Sequence, residues 1–160
     1  MNTKPHKEHL WLQRLVGEWT YEGEANMGPD KPPERFTGTE TVRSIGGLWT
    51  VAEGQGEMPG GDMATTIMTL GYDPQKMHYV GTWLGSMMTH LWIYDGEMDA
   101  SQRMLTLNAV GPDMTVEGRT AKYKDVIEWK SNDLRLLTSH VLGDDGTWHR
   151  IMSASYRRKT

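Results

Sequence analysis

Apolar residues recur at helical spacing only near the start of the chain. Trp11 and Leu15, and Leu12 and Val16, stand four apart and so share one helix face. Gly17 follows as a C-cap, and Thr3 and Pro5 suit the beginning. This spacing predicts a short helix over 8–16. Beyond it the period drops to two. About ten segments of strand length follow, near 17–25, 35–45, 48–56, 64–72, 78–86, 88–95, 103–111, 119–130, 134–142 and 147–157. Turn chemistry separates them at Gly46-Gly47, Pro59-Gly60-Gly61, Asp73-Pro74, Asp95-Gly96, Ser131-Asn132-Asp133 and Asp144-Asp145-Gly146. Consecutive short strands without crossover helices pair antiparallel. Closure removes the sheet's edges. The prediction is an all-β, about ten-stranded, antiparallel up-and-down barrel over 17–158, within a single domain spanning 1–160.

Alternation assigns faces. Near 119–130, Lys122, Lys124, Glu128 and Lys130 oppose Tyr123, Asp125, Ile127 and Trp129, so the second set points inward. Phe36, Gly38, Glu40 and Val42 read as inward on the second strand, and Trp49, Val51 and Glu53 on the third. Trp83 belongs to Gly81-Thr82-Trp83, one of four Gly-x-Trp triplets that sit near strand starts. His90 travels with Trp92 and Tyr94, and His140 with Leu136, Thr138 and Leu142. On the last strand Trp148, Arg150, Met152, Ala154 and Tyr156 share a face. The expected interior therefore mixes Glu40, Glu53, His90, Asp125, His140 and Arg150 with aromatic and Met side chains. Unpaired buried charges cost several kcal/mol each, so such a set implies mutual pairing, water or a ligand. Arg150 is the expected partner of the carboxylates. A barrel of about ten strands is also wider than the eight that side chains just fill, which predicts a cavity.

Composition narrows the chemistry. The chain has no cysteine, which excludes disulfides, thiolate metal sites and cysteine nucleophiles. Seventeen basic and 21 acidic residues, with no basic block, argue against nucleic acid as a partner. No apolar run reaches the roughly 18 residues of a membrane span. Residues 1–9 are charged and lack an apolar signal core, so the expected location is cytoplasmic. His6 and His9 read as solvated helix residues. The glycine-rich stretch 54–62 lacks the Gly-Lys-Ser/Thr ending of a phosphate loop and reads as a hairpin connection. The proline-rich loop 26–34 is a candidate lid over the barrel mouth. Val126, Leu137, Val141 and Ile151 have outward parity on three successive strands, and such an apolar patch predicts a homodimer through that face.

The helix running into Gly17-Glu18-Trp19, with Arg157-Arg158 closing the last strand, resembles the lipocalin or calycin pattern. The resemblance implies that Trp19 plugs the barrel base, beside Gly17, with an arginine packed across it: Arg158, which shares parity with Tyr156, or alternatively Arg157. Leu70-Gly71-Tyr72-Asp73-Pro74, Gly81-Thr82-Trp83, Thr89-His90-Leu91-Trp92, Ser139-His140 and Gly146-Thr147-Trp148-His149-Arg150 are similar to a mostly bacterial domain-of-unknown-function family grouped with lipocalin-like barrels. Nitrobindin is among the relatives of that family, which leaves haem open as a cofactor with His90 and His140 as inward histidines. A divalent metal is the other open cofactor, held by the two histidines with Glu40 or Glu53.

Three functions follow as expectations. The first is binding of a small, partly apolar ligand by Glu40, Glu53, Trp83, His90, Trp92, Tyr123, Asp125, His140 and Arg150. The second is a cavity enzyme, an isomerase, hydratase or hydrolase, using Glu40 or Asp125 with His90 or His140 as an acid–base pair. The third is a non-catalytic assembly protein whose barrel is a scaffold.

Overall fold

A computed structural model describes residues 3–58 and 61–160. The expected turn at Pro59-Gly60 lies outside the described residues. Helix α1 (Lys7–Gln13) precedes ten strands: β1 (Gly17–Ala25), β2 (Glu34–Ile45), β3 (Trp49–Glu57), β4 (Met63–Asp73), β5 (His78–Gly85), β6 (Trp92–Met98), β7 (Met104–Pro112), β8 (Thr120–Ser131), β9 (Leu134–Leu142) and β10 (Trp148–Arg158). Each strand pairs antiparallel with the next, and β10 returns to β1, closing the predicted barrel.

The largest shift of an element is in β6, which begins at Trp92 and continues through Asp95-Gly96. Gly96 is a packing glycine and makes no turn there: a Cβ would press on Tyr79 and Leu107. The reversal comes at Asp99, whose carboxylate accepts from the Ser101 hydroxyl and from the Arg103 and Met104 backbone N–H groups.

The helix ends at Gln13, where the Arg14, Leu15 and Val16 N–H groups take the Trp11, Leu12 and Gln13 carbonyls, and Arg158 holds the segment that follows. The guanidinium donates to Val16 O at 2.7 Å, Arg14 O at 2.8 Å and Asn132 O at 2.7 Å. Gly17, at φ +141°, leaves room for that guanidinium, which a Cβ would strike. Arg158 also stands 4.2 Å from the Trp19 ring centroid, and Trp19 is fully buried with Nε1 donating to Leu15 O at 2.9 Å. Trp11 and Trp129 pack edge-on beside it to complete the base. His9 is buried, contrary to its expected exposure. Its Nδ1 accepts from the His6 N–H at 2.8 Å, so Nε2 carries the proton and donates to Tyr72 O at 3.0 Å.

Three strands present different faces from those expected. On β3 the buried positions are Thr50, Ala52, Gly54 and Gly56, while Trp49 and Glu53 are exposed. Inner glycines make room for the Tyr21 ring, with which a Cβ at Gly38 of β2 or Gly56 of β3 would collide. On β9 both faces carry leucine, and it is Arg135, Leu137 and Ser139 that turn inward, leaving His140 outside. On β10 a bulge between Arg150 and Met152 inserts Ile151 as an extra residue. Parity reverses there, so Arg150 lies on the outer wall, paired in register with His140, while Ile151 and Met152 both line the interior.

These faces also dissolve the expected apolar patch for a dimer. Leu137 and Ile151 line the cavity, Val141 pairs with inward-facing Tyr123, and Val126 alone turns outward, where it is buried. No helix among the described residues is long and apolar enough to cross a membrane.

Candidate functional site

The base fills the lower barrel with large side chains, and the upper barrel does not fill. A cavity of about 350 Å³ opens among the connections that follow β3, β5 and β7. That volume is at the lower end of the range for small-molecule sites. Phe36, Trp83, Trp92, Tyr94, Tyr123 and Tyr156 supply aromatic walls; Met68 and Met152 fill between them. Met58, Met87, Met88 and Met114 line it from the connecting segments around the mouth, and methionine adapts readily to irregular apolar partners. None of residues 26–34, the expected lid, lines the cavity.

The rings hold one another in place. Trp92 stands edge-on between His90 and Tyr123, with centroids 4.7 and 4.9 Å away. Its Nε1 donates to Met88 Sδ at 3.0 Å, and the Tyr123 hydroxyl donates to Pro112 O at 2.6 Å. His90 lies in the connection before β6, where Nε2 donates to Val110 O at 3.3 Å. It supports Trp92 from behind and is not itself a lining residue.

Asp125 is the half-buried carboxylate of this chamber. The Tyr94 hydroxyl donates to its Oδ2, and Ser139, its register partner on β9, hydrogen-bonds to it as well. Burial nonetheless holds the Asp125 carboxyl above the ordinary carboxylate value, outweighing both hydroxyl donors. Burial and the neighbouring Asp125 likewise push the Tyr94 phenol upward, so it stays a donor. Glu57 joins the lining at the exposed end of β3, and no Lys, Arg or His lines the cavity among the described residues.

Glu40 does point inward, as expected, but its partner is Arg135 and not Arg150. The two form an ion pair with side chains only 11% and 5% exposed. Arg135 stacks 4.1 Å from the Tyr156 centroid and 4.7 Å from that of Trp19, and neither member of the pair lines the cavity. Of the nine expected ligand-binding residues, Trp83, Trp92, Tyr123 and Asp125 therefore line one chamber. His90 buttresses it, Glu40 lies apart in the ion pair, and Glu53, His140 and Arg150 are on the outer wall. His140 accordingly titrates below its usual value, through burial first and then the outward cations Lys124 and Arg150. The sheet separates His140 from the inward carboxylates, and His90 lies in the connection before β6, bonded to Val110 O and to neither carboxylate. Among the described residues no three His, Asp or Glu side chains cluster as a metal site.

The raised Asp125 carboxyl predicts a pH signature. The folded state holds that proton more tightly than the unfolded chain, so its contribution to stability is largest at acid pH. It declines from about pH 4, the ordinary carboxylate value, until pH passes the raised folded value. Urea titrations across pH 4–8 are expected to show this decline in the wild type and its loss in Asp125→Asn. Parallel pH profiles for the two proteins would contradict it.

Comparison with solved structures finds barrels of the same fold. Rv2717c from M. tuberculosis aligns with a TM-score of 0.66 at 12% identity, covering 98% of this chain and 100% of that one. A de novo designed fluorescence-activating β-barrel aligns at 0.51 with 14% identity over 92% and 95% of the two chains. EF1p2_mFAP2b bound to DFHBI aligns at 0.51 with 12% identity over 94% and 98%. At these identities the likeness is one of fold. No curated protein matches in sequence. A family model described as "Protein of unknown function (DUF1579)" matches residues 4–158.

Proposed function

We propose that this chain, which belongs to the DUF1579 family, binds a small, partly apolar molecule inside its barrel. The cavity carries this reading: a base sealed by Trp19 and Arg158, and above it an aromatic and Met-lined chamber with one enclosed carboxylate. That combination of apolar walls and few polar groups suits a small ligand. The Trp19–Arg158 base also supports the resemblance to lipocalin-like barrels. Binding of DFHBI is a property of EF1p2_mFAP2b; for this chain the support is its own chamber.

The test is a fluorescence titration with the neutral lipophile N-phenyl-1-naphthylamine. One saturable site per chain is expected, with quenching of Trp83 and Trp92. Ala109 is buried on the cavity wall, so Ala109→Phe places a ring in that space. Affinity should fall at least about tenfold, or about 1.4 kcal/mol, with an unchanged far-ultraviolet circular dichroism spectrum. Absence of saturable binding in the wild type, or undiminished binding in a folded Ala109→Phe variant, rules out the cavity as the site.

A further inference from the structure

We infer that the chamber selects an organic cation, an apolar body carrying an amine, whose charged end meets Asp125; this rests on the cavity being a binding site. Three independent observations converge on that class. The first is charge. The lining contains the carboxylates Asp125 and Glu57 and no cationic side chain among the described residues, so an anionic ligand would meet repulsion without a partner. Arg150, the one guanidinium expected inside, is held out by the bulge in β10, and Arg135 is already engaged by Glu40.

The second is the shape of the polar group. Tyr94 and Ser139 both donate to Asp125, which aligns its carboxylate as an acceptor and stabilises it when ionised. The third is the wall. Trp83, Trp92, Tyr123 and Tyr156 surround the same space, and aromatic faces attract a desolvated ammonium through their π electrons. Carboxylate and rings therefore favour the same sign of charge.

The surroundings of Asp125 make the recognition pH-dependent. Leu107 of β7, Ser139 of β9 and Tyr94 of β6 face it from inside, Tyr156 of β10 lies further off, and His140 and Lys124 stand behind the sheet. None of the inward groups is cationic. Burial raises the Asp125 carboxyl above the ordinary carboxylate value, and an ammonium beside it favours the ionised form. Amine binding strengthens as pH rises through the raised carboxyl value, while binding of a neutral ligand stays flat.

The experiment compares 2-naphthylmethylamine, 2-naphthylmethanol and 2-naphthoate by isothermal titration calorimetry at pH 7.5. The amine is expected to bind about tenfold more tightly than the alcohol, a difference of about 1.4 kcal/mol, and the carboxylate most weakly. In Asp125→Asn the amine should lose its advantage and bind no more tightly than the alcohol binds the same variant. The ranking in the wild type stands by itself if that variant does not fold. If 2-naphthoate or the alcohol equals the amine, the cation preference is wrong and the binding site remains. If Asp125→Asn keeps the full amine preference, Asp125 is not its source. If none of the three binds at millimolar concentration, the cavity reading falls and the cation preference with it.

Discussion

An Arg135→Met barrel unfolds at a much lower urea concentration than the wild type, with a loss of about 3–5 kcal/mol, the usual consequence of leaving one member of a buried ion pair alone. Arg135 is the partner of Glu40 in a region that water barely reaches. Its guanidinium also rests on Tyr156 and Trp19. Removing it strands a carboxylate among aromatic rings. Two controls separate that cause from lost packing. Acid should narrow the gap between variant and wild type, because protonated Glu40 needs no cation. The Arg135→Met, Glu40→Gln double variant should recover most of the loss, since replacing both partners removes the stranded charge. A single variant within about 1 kcal/mol of the wild type would mean that the pair behaves like a solvated surface bridge.

Trp19→Ala is expected to be comparably damaging, at about 3–5 kcal/mol for a fully enclosed indole. Trp19 is wholly inaccessible to solvent and touches the systems that close the base. The indole N–H satisfies Leu15 O, its ring lies under both Arg135 and Arg158, and its edge meets Trp129. Alanine keeps none of these and leaves a void under the cavity floor. For a chain of this length the melting temperature should fall by about 10 °C. Trp19→Phe retains the stacking and loses the Leu15 hydrogen bond, so it should lie between. Calorimetric melting of the three proteins checks the order, and an alanine variant melting with the wild type would remove the base from any role in stability.

Much of the fold is legible in the sequence because turns and alternation are local properties. Strands β1 and β9 have the limits expected from the sequence, and most others lie within a residue or so. Faces are harder. On β8, lysines on one side and aromatics on the other leave no ambiguity, and Asp125 points inward as they imply. On β3 the inward residues are Thr50, Ala52 and two glycines that leave room for the Tyr21 ring, and such small or polar side chains read as exposure. On β9, Leu134 and Leu136 compete with Leu137 and Val141, and the true interior includes an arginine. That choice depends on Glu40, far away in sequence, which alternation cannot see. The β10 bulge is also invisible to a period of two: one added residue sends Arg150 outside and brings Ile151 in. Arg135, Ser139, Tyr94 and Tyr156 escape selection as site residues for these reasons, although Tyr94 and Tyr156 carry inward parity with Trp92 and Met152.

The clasp between Arg158 and Val16 joins groups 142 positions apart. Because β10 must slot between β1 and β9, ring closure depends on some of the most distant encounters in the polypeptide, a topology associated with slow folding. During synthesis the nascent sheet has two bare margins until the final strand leaves the ribosome. The chain is then most exposed to edge-to-edge association with its neighbours, and docking of β10 between β1 and β9 ends that exposure.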